Sequence, residues 1–115
     1  MKKQPKDMVH EIKEQMRGGD GQVELLHVFT QDELRGRCRL FAKVTLQPGC
    51  SIGAHVHDQE EEIYYLLEGV AEADDNGTPV TLKPGDALVT GGGQSHAIAN
   101  RGTVPMVMMA VILLF

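Results

Sequence analysis

Aromatics, cysteine, basic excess and long apolar runs are all in short supply in this chain of 115 residues. Three Phe, two Tyr and no Trp leave little to stack on nucleobases. A formal net charge of −5 offers no surplus of Lys and Arg to neutralise phosphates. Both features argue against a nucleic-acid partner. The two cysteines, Cys38 and Cys50, cannot form a disulfide framework, so a reducing, cytoplasmic setting is the expectation. No secretory signal is expected either, because the charged start "MKKQPKDMVHEIKEQ" is not followed by an apolar run. The most apolar stretch, "VPMVMMAVILLF", is too short for a bilayer, which needs about 20 residues, and no membrane partner is expected.

What is present suits one ordinary globular domain spanning 1–115, with 42% hydrophobic and 23% charged residues. Turn chemistry recurs at short intervals: Pro48-Gly49, Asn76-Gly77, Pro84-Gly85 and Asn100 to Gly102. Asn76-Gly77 is the strongest, since Asn-Gly favours a type I′ hairpin. The intervening segments have strand length. In "RCRLFAKVTL", Cys38, Leu40, Ala42, Val44 and Leu46 share one face while Arg37, Arg39, Lys43 and Thr45 share the other. Many short strands with regular turns predict an all-β barrel or sandwich. Residues 1–21 read as an N-terminal arm whose "MVHEIKEQM" suits either a helical turn or an edge strand. "TQDEL" predicts a capped turn built on Thr30 and Glu33. The closing strand is apolar on both faces, Met106, Met108, Ala110 and Ile112 against Val107, Met109, Val111 and Leu113. Its second face therefore needs a cover, either a further layer of a sandwich interior or, the favoured reading in so small a domain, the partner of a homodimer.

Chemistry is concentrated in "GCSIGAHVHDQEEEIYYLLEG", residues 49–69. His55 and His57 share a strand face by period two, and the polar "DQEE" that follows can reverse the chain and return Glu62 to them. Two imidazoles and a carboxylate suit a divalent metal, and His96, after the glycine-rich "TGGGQSH", is a fourth candidate ligand. Three His and one Glu would leave positions open on an octahedral ion.

These segments resemble the two motifs of the cupin superfamily. The first, G-x5-H-x-H-x(3,4)-E-x6-G, is met by Gly49, His55, His57, Glu62 and Gly69. The second, G-x5-P-x-G-x2-H-x3-N, is met over 85–100 by Gly85, Gly93, His96 and Asn100, with Gly91 standing in place of the proline. That exchange is expected to loosen the local backbone. The resemblance implies a jelly-roll barrel, the double-stranded β-helix, of the small bacterial single-domain kind. It also implies Mn, Fe, Ni, Zn or Cu held by His55, His57, Glu62 and His96, and frequent dimers. The function implied is a metalloenzyme acting on a small anionic or enolic substrate, of dioxygenase, decarboxylase or isomerase type. The alternative is a binding or sensing module without turnover.

The remaining candidates carry less. Tyr64 shares parity with Glu62 and is expected to face the cavity, where it either touches a bound ligand or simply packs. Glu60 and Glu61 read first as solvated turn residues, with support of the ligands or an acid–base role as the alternative, and His10 and His27 as surface or half-buried ones. Ser95 beside His96 makes no nucleophile–base pair by adjacency alone. No residue stands out as catalytic, no long loop could act as a lid, and no arginine is evidently placed to clamp a carboxylate.

Overall fold

The turns and alternating segments resolve into ten strands in the computed structural model, which describes residues 1–115. In chain order these are β1 (Val9–Glu14), β2 (Gln22–His27), β3 (Cys38–Leu46), β4 (Ser51–Val56) and β5 (Glu60–Glu68), then β6 (Ala71–Asp75), β7 (Thr78–Leu82), β8 (Ala87–Gly91), β9 (Ser95–Ala99) and β10 (Met106–Leu114). One sheet has the order β1-β2-β3-β10-β5-β8 and the other β4-β9-β6-β7, with antiparallel pairing throughout. Short 3-10 turns lie at Pro5–Asp7, Met16–Gly18 and Gln31–Glu33. The all-β jelly-roll expectation holds. No helix is long and apolar enough to cross a membrane.

Period-two patterning explains the core. Ala42, Val44 and Leu46 of β3 and Met106, Met108, Ala110 and Ile112 of β10 are buried, facing Ile52, Ala73, Leu82 and Ile98 of the second sheet. Each large side chain withdrawn from water contributes about 1.5–3 kcal/mol against the chain's conformational entropy. On the outer face of β10, Val107, Met109, Val111 and Leu113 are only half-buried within one chain.

Local readings resolve in detail. Asn76 (φ 48°) and Gly77 (φ 94°) form the two-residue β6–β7 turn with both φ positive, as a type I′ hairpin requires. The segment left open between helical turn and edge strand is β1, at the sheet edge. At the Gln31–Glu33 turn, the Glu33 carboxylate accepts from the Thr30 N–H at 2.8 Å and the Thr30 hydroxyl at 3.1 Å. Gly91 does not loosen the backbone: it pairs with Glu61 inside β8, and a Cβ there would press on the Glu60 carbonyl and the Glu61 side chain. Asn100 is structural. Its buried amide donates to the Leu46 and Val104 carbonyls, both at 2.8 Å, and ties the end of β3 to the loop that leads into β10.

The N-terminal arm is held against β4. The Ser51 N–H donates to the Asp20 carbonyl and the Asp20 N–H to Ser51 Oγ, both at 2.8 Å. Gly53 permits this contact, since a Cβ on it would overlap the Arg17 carbonyl. Gly53→Ala is expected to lower stability by about 1–3 kcal/mol, as overpacking does, and to raise protease sensitivity within the first twenty or so residues. Thermal melts and limited proteolysis check this, and an unchanged melt with an unchanged cleavage pattern would contradict it.

Candidate metal centre

His55 lies on β4 and His57 one residue beyond its end, while Glu62 enters from β5 and His96 from β9. His55 and His96 are direct cross-strand partners. A bulge between Ile52 and His55 adds one residue to β4, so that Ile52 and His55 both face inward despite an odd separation. The "DQEE" segment reverses the chain as expected, but it carries the strand into the other sheet, so Glu62 approaches the histidines from across the barrel. The glycine-rich turn braces His57. Gly93 N–H donates to the His57 carbonyl at 2.9 Å, and the His57 N–H donates to the Gln94 carbonyl at 3.0 Å.

The four donor atoms converge. Glu62 Oε1 is 3.0 Å from Nε2 of both His57 and His96, and 3.9 Å from Nε2 of His55. His96 Nε2 is 3.0 Å from Nε2 of both His57 and His55. For bonds of about 2.1 Å, neighbouring ligands of an octahedral ion lie about 3.0 Å apart, by the right-angle geometry. His57, His96 and Glu62 therefore match one octahedral face, and the donor set fits a divalent transition ion.

Ring orientation is set by neighbours. His55 Nδ1 lies 2.7 Å from the Gly53 carbonyl and His57 Nδ1 2.7 Å from a Glu60 oxygen. Both partners only accept, so each Nδ1 carries a proton, which leaves Nε2 to turn an N–H towards Glu62 when it is protonated and to present a lone pair when a metal is bound. Glu60 is in turn gripped by Arg39 through two bonds of 2.7 Å. It is a supporting residue of the cluster, contrary to its first reading as a solvated turn residue. His96 Nδ1 has no protein partner; that ring lies flat on Tyr64 instead, with centroids 4.8 Å apart and planes 8° from parallel.

Electrostatics favour an ionised Glu62. Burial alone would push its carboxyl up, but the neighbouring imidazoles of His55, His57 and His96 outweigh this and hold it well below the usual carboxylate range. Arg39 and then His57 lower Glu60 to about 2, against desolvation. Tyr64 is pushed well above the ordinary phenol range, chiefly by burial and further by the Glu62 charge, with Arg17 opposing. Its hydroxyl, 3.4 Å from His96 Nε2, stays protonated.

His55, His57 and Glu62 of the cluster line a cavity of about 560 Å³, a common size for a small-molecule site. Tyr64 faces it, as parity predicts, and is 2% exposed. Leu25, Val44, Met108 and Ala110 supply apolar wall, and Lys13, Arg17 and Arg39 supply positive charge. No arginine is evidently placed in the sequence to clamp a carboxylate, and the structure brings two, Arg17 and Arg39, to the cavity wall. Arg39 and Arg17 lie far from the motifs in sequence, and nothing local marks them. Glu60, three residues after His57, was open to suspicion from spacing alone. His27 is a half-buried wall residue bonded to Glu11 at 2.9 Å, and His10 is exposed on β1. Cys38 and Cys50 are both free and half-buried, so Cys38 is less enclosed than its strand face predicts.

Two sheets closing on three histidines and one glutamate that could hold a metal ion define a class of β-barrel, and comparison with known proteins gives it a family. The cupin domain family matches residues 42–112. The oxalate-binding protein of Thermotoga maritima is 44% identical over 99 residues, covering 86% of this chain and 82% of that protein. The chain belongs to the cupin family. A crystal structure from Thermotoga maritima, of a protein described as a predicted oxalate decarboxylase, superposes with a TM-score of 0.94 at 40% identity, covering 100% of both chains. The polyketide cyclase RemF of Streptomyces resistomycificus shares the fold at a TM-score of 0.80 and 17% identity, covering 99% of this chain and 78% of its own.

The cluster has a pH signature. His57 is raised above its ordinary value, chiefly by its hydrogen bond to Glu62, with burial opposing. A raised folded value stabilises the metal-free fold below the unfolded His value of about 6.5, and that contribution is lost as pH rises through the folded value. A metal competes with the same protons, so its stabilisation has the opposite pH dependence. The increase in Tm on adding Mn(II) is expected to be largest near about pH 8 and to shrink towards about pH 5. Melts with and without metal across that range check it; an equal increase at every pH would count against the cluster as the metal site.

Proposed function

We propose that this cupin binds a small dicarboxylate of the oxalate kind through a divalent metal held by His55, His57, Glu62 and His96. One observation carries the reading: the open cluster of three histidines and a glutamate lies in a cavity whose wall holds Lys13, Arg17 and Arg39, in a chain with a net charge of −5. Cations gathered in one cavity of an acidic protein favour an anionic ligand. When bound, the metal supplies positions for hard oxygen donors, which a compact dicarboxylate fills. The name of the 44% identical Thermotoga maritima protein supports the same ligand class. Free Cys38 and Cys50 suit a reducing compartment such as the cytoplasm.

The geometry favours binding over turnover. General acid–base chemistry needs a group free to move a proton. Glu60 is held ionised between Arg39 and His57, Glu62 is engaged with three imidazoles, and Tyr64 is held protonated. Protein with Mn(II) bound is expected to carry about one equivalent of metal, to bind oxalate calorimetrically, and to leave oxalate unconsumed over hours. His57→Ala should lose the metal and the oxalate binding together. Release of formate or carbon dioxide would favour the enzyme reading, and metal-loaded protein that ignores oxalate would overturn the ligand.

We also propose that the chain forms a homodimer through the outer face of its larger sheet. There Val111 is flanked by Phe41 and Ile63, Ile63 by Val89, and Met109 by Tyr65. Tyr65 is 46% and Val89 56% exposed. A continuous apolar patch across four strands exceeds the scattered exposure normal for a monomer, and a second copy offers the same face in return. Light scattering is expected to give twice the chain mass of 12.6 kDa. Val111→Glu should halve that mass without removing metal, and a monomeric parent would overturn the proposal.

A further inference from the structure

The N-terminal arm places an uncommitted cation in the wall of the cavity. Gln15 (φ 49°) and Arg17 (φ 55°) both adopt left-handed backbone, which costs a non-glycine residue roughly 1–2 kcal/mol. The turn persists because it is pinned from several sides. The Gln15 N–H donates to the Gly21 carbonyl at 2.8 Å, two bonds tie Asp20 to Ser51, and Gly19 and Gly53 let the two backbones meet without side chains between them. Strain retained by such over-determination is a common mark of functional placement.

The side chain carried by that turn has no partner within the protein. Arg39 spends both arms of its guanidinium on Glu60. Lys13 lines the cavity too and forms no ion pair, but it carries an ammonium rather than a guanidinium. Arg17 lines the same cavity and forms no ion pair. A planar guanidinium donates two parallel hydrogen bonds to a carboxylate, and an ammonium cannot reproduce that fork.

We propose that Arg17 selects a dicarboxylate over a monocarboxylate by pairing with the ligand's carboxylate oxygens that face away from the metal-binding cluster. The inference rests on the ligand class proposed above and adds the residue that discriminates within it. The arm of residues 1–21 is then part of the binding site.

The test measures oxalate and formate binding calorimetrically to Mn(II)-loaded parent, Arg17→Ala and Arg17→Lys. Arg17→Ala is expected to weaken oxalate about 10- to 100-fold, the scale of a lost charge-assisted pair, while formate changes less than about threefold. Arg17→Lys should fall between parent and alanine. Metal content and Tm should match the parent in both variants, since the guanidinium holds nothing in the protein. Oxalate affinity retained within about threefold in Arg17→Ala would overturn the proposal, as would equal weakening of oxalate and formate, or a loss of metal or Tm in that variant. A parent that binds metal but not oxalate would instead overturn the ligand class, and this inference with it.

Discussion

Gly53 is where the barrel, the arm and the ligand cluster meet. It lies in the β4 bulge that lets Ile52 face the core and His55 face the cluster. Its carbonyl accepts the His55 Nδ1 proton at 2.7 Å, which leaves Nε2 for the cluster. Its missing side chain lets the Arg17 carbonyl approach and so brings the arm onto the cavity wall. A side chain here would disturb all three features at once, because in a close-packed structure the strand, the imidazole and the arm share one small volume.

From that point outward the site is a chain of charges. Arg39 holds Glu60, Glu60 holds His57, and His57 meets Glu62 beside His96 and His55. Burying so many ionisable groups is costly unless each is paired, and here nearly every nitrogen and oxygen has an opposite partner. The exception is His96, whose Nδ1 is unbonded and whose ring is oriented by Tyr64. Tyr64 thus acts by fixing an imidazole, whatever else it touches in the cavity. One imidazole is positioned by a backbone carbonyl, one by a carboxylate and one by stacking, so no single substitution beyond the cluster would release all three.

Legibility from sequence varied with the range of the interaction. The hairpin at Asn76-Gly77 and the inward face of β3 depend on dihedral preference and period two, and both were readable. The first arm segment was ambiguous because an edge strand and a short helical turn can share an apolar spacing; its pairing with β2 decided the matter. Gly91 misled because its role is set by Glu60 and Glu61 on another strand, where a side chain would collide.

The β-barrel class and the candidates His55, His57 and Glu62 could be read from turn residues, strand periodicity and HxH spacing, which are local properties of the chain, while His96, a candidate after its glycine-rich turn, was joined to them by the resemblance to the second motif. Tertiary structure decided that Glu62 arrives from the opposite sheet, that Glu60 and Arg39 support His57, and that Arg17 reaches the same cavity. Those relations join residues on different strands and turns, some of them tens of positions apart. Sheet pairing and a one-residue bulge bring them together, and nothing in the short-range pattern encodes such distances.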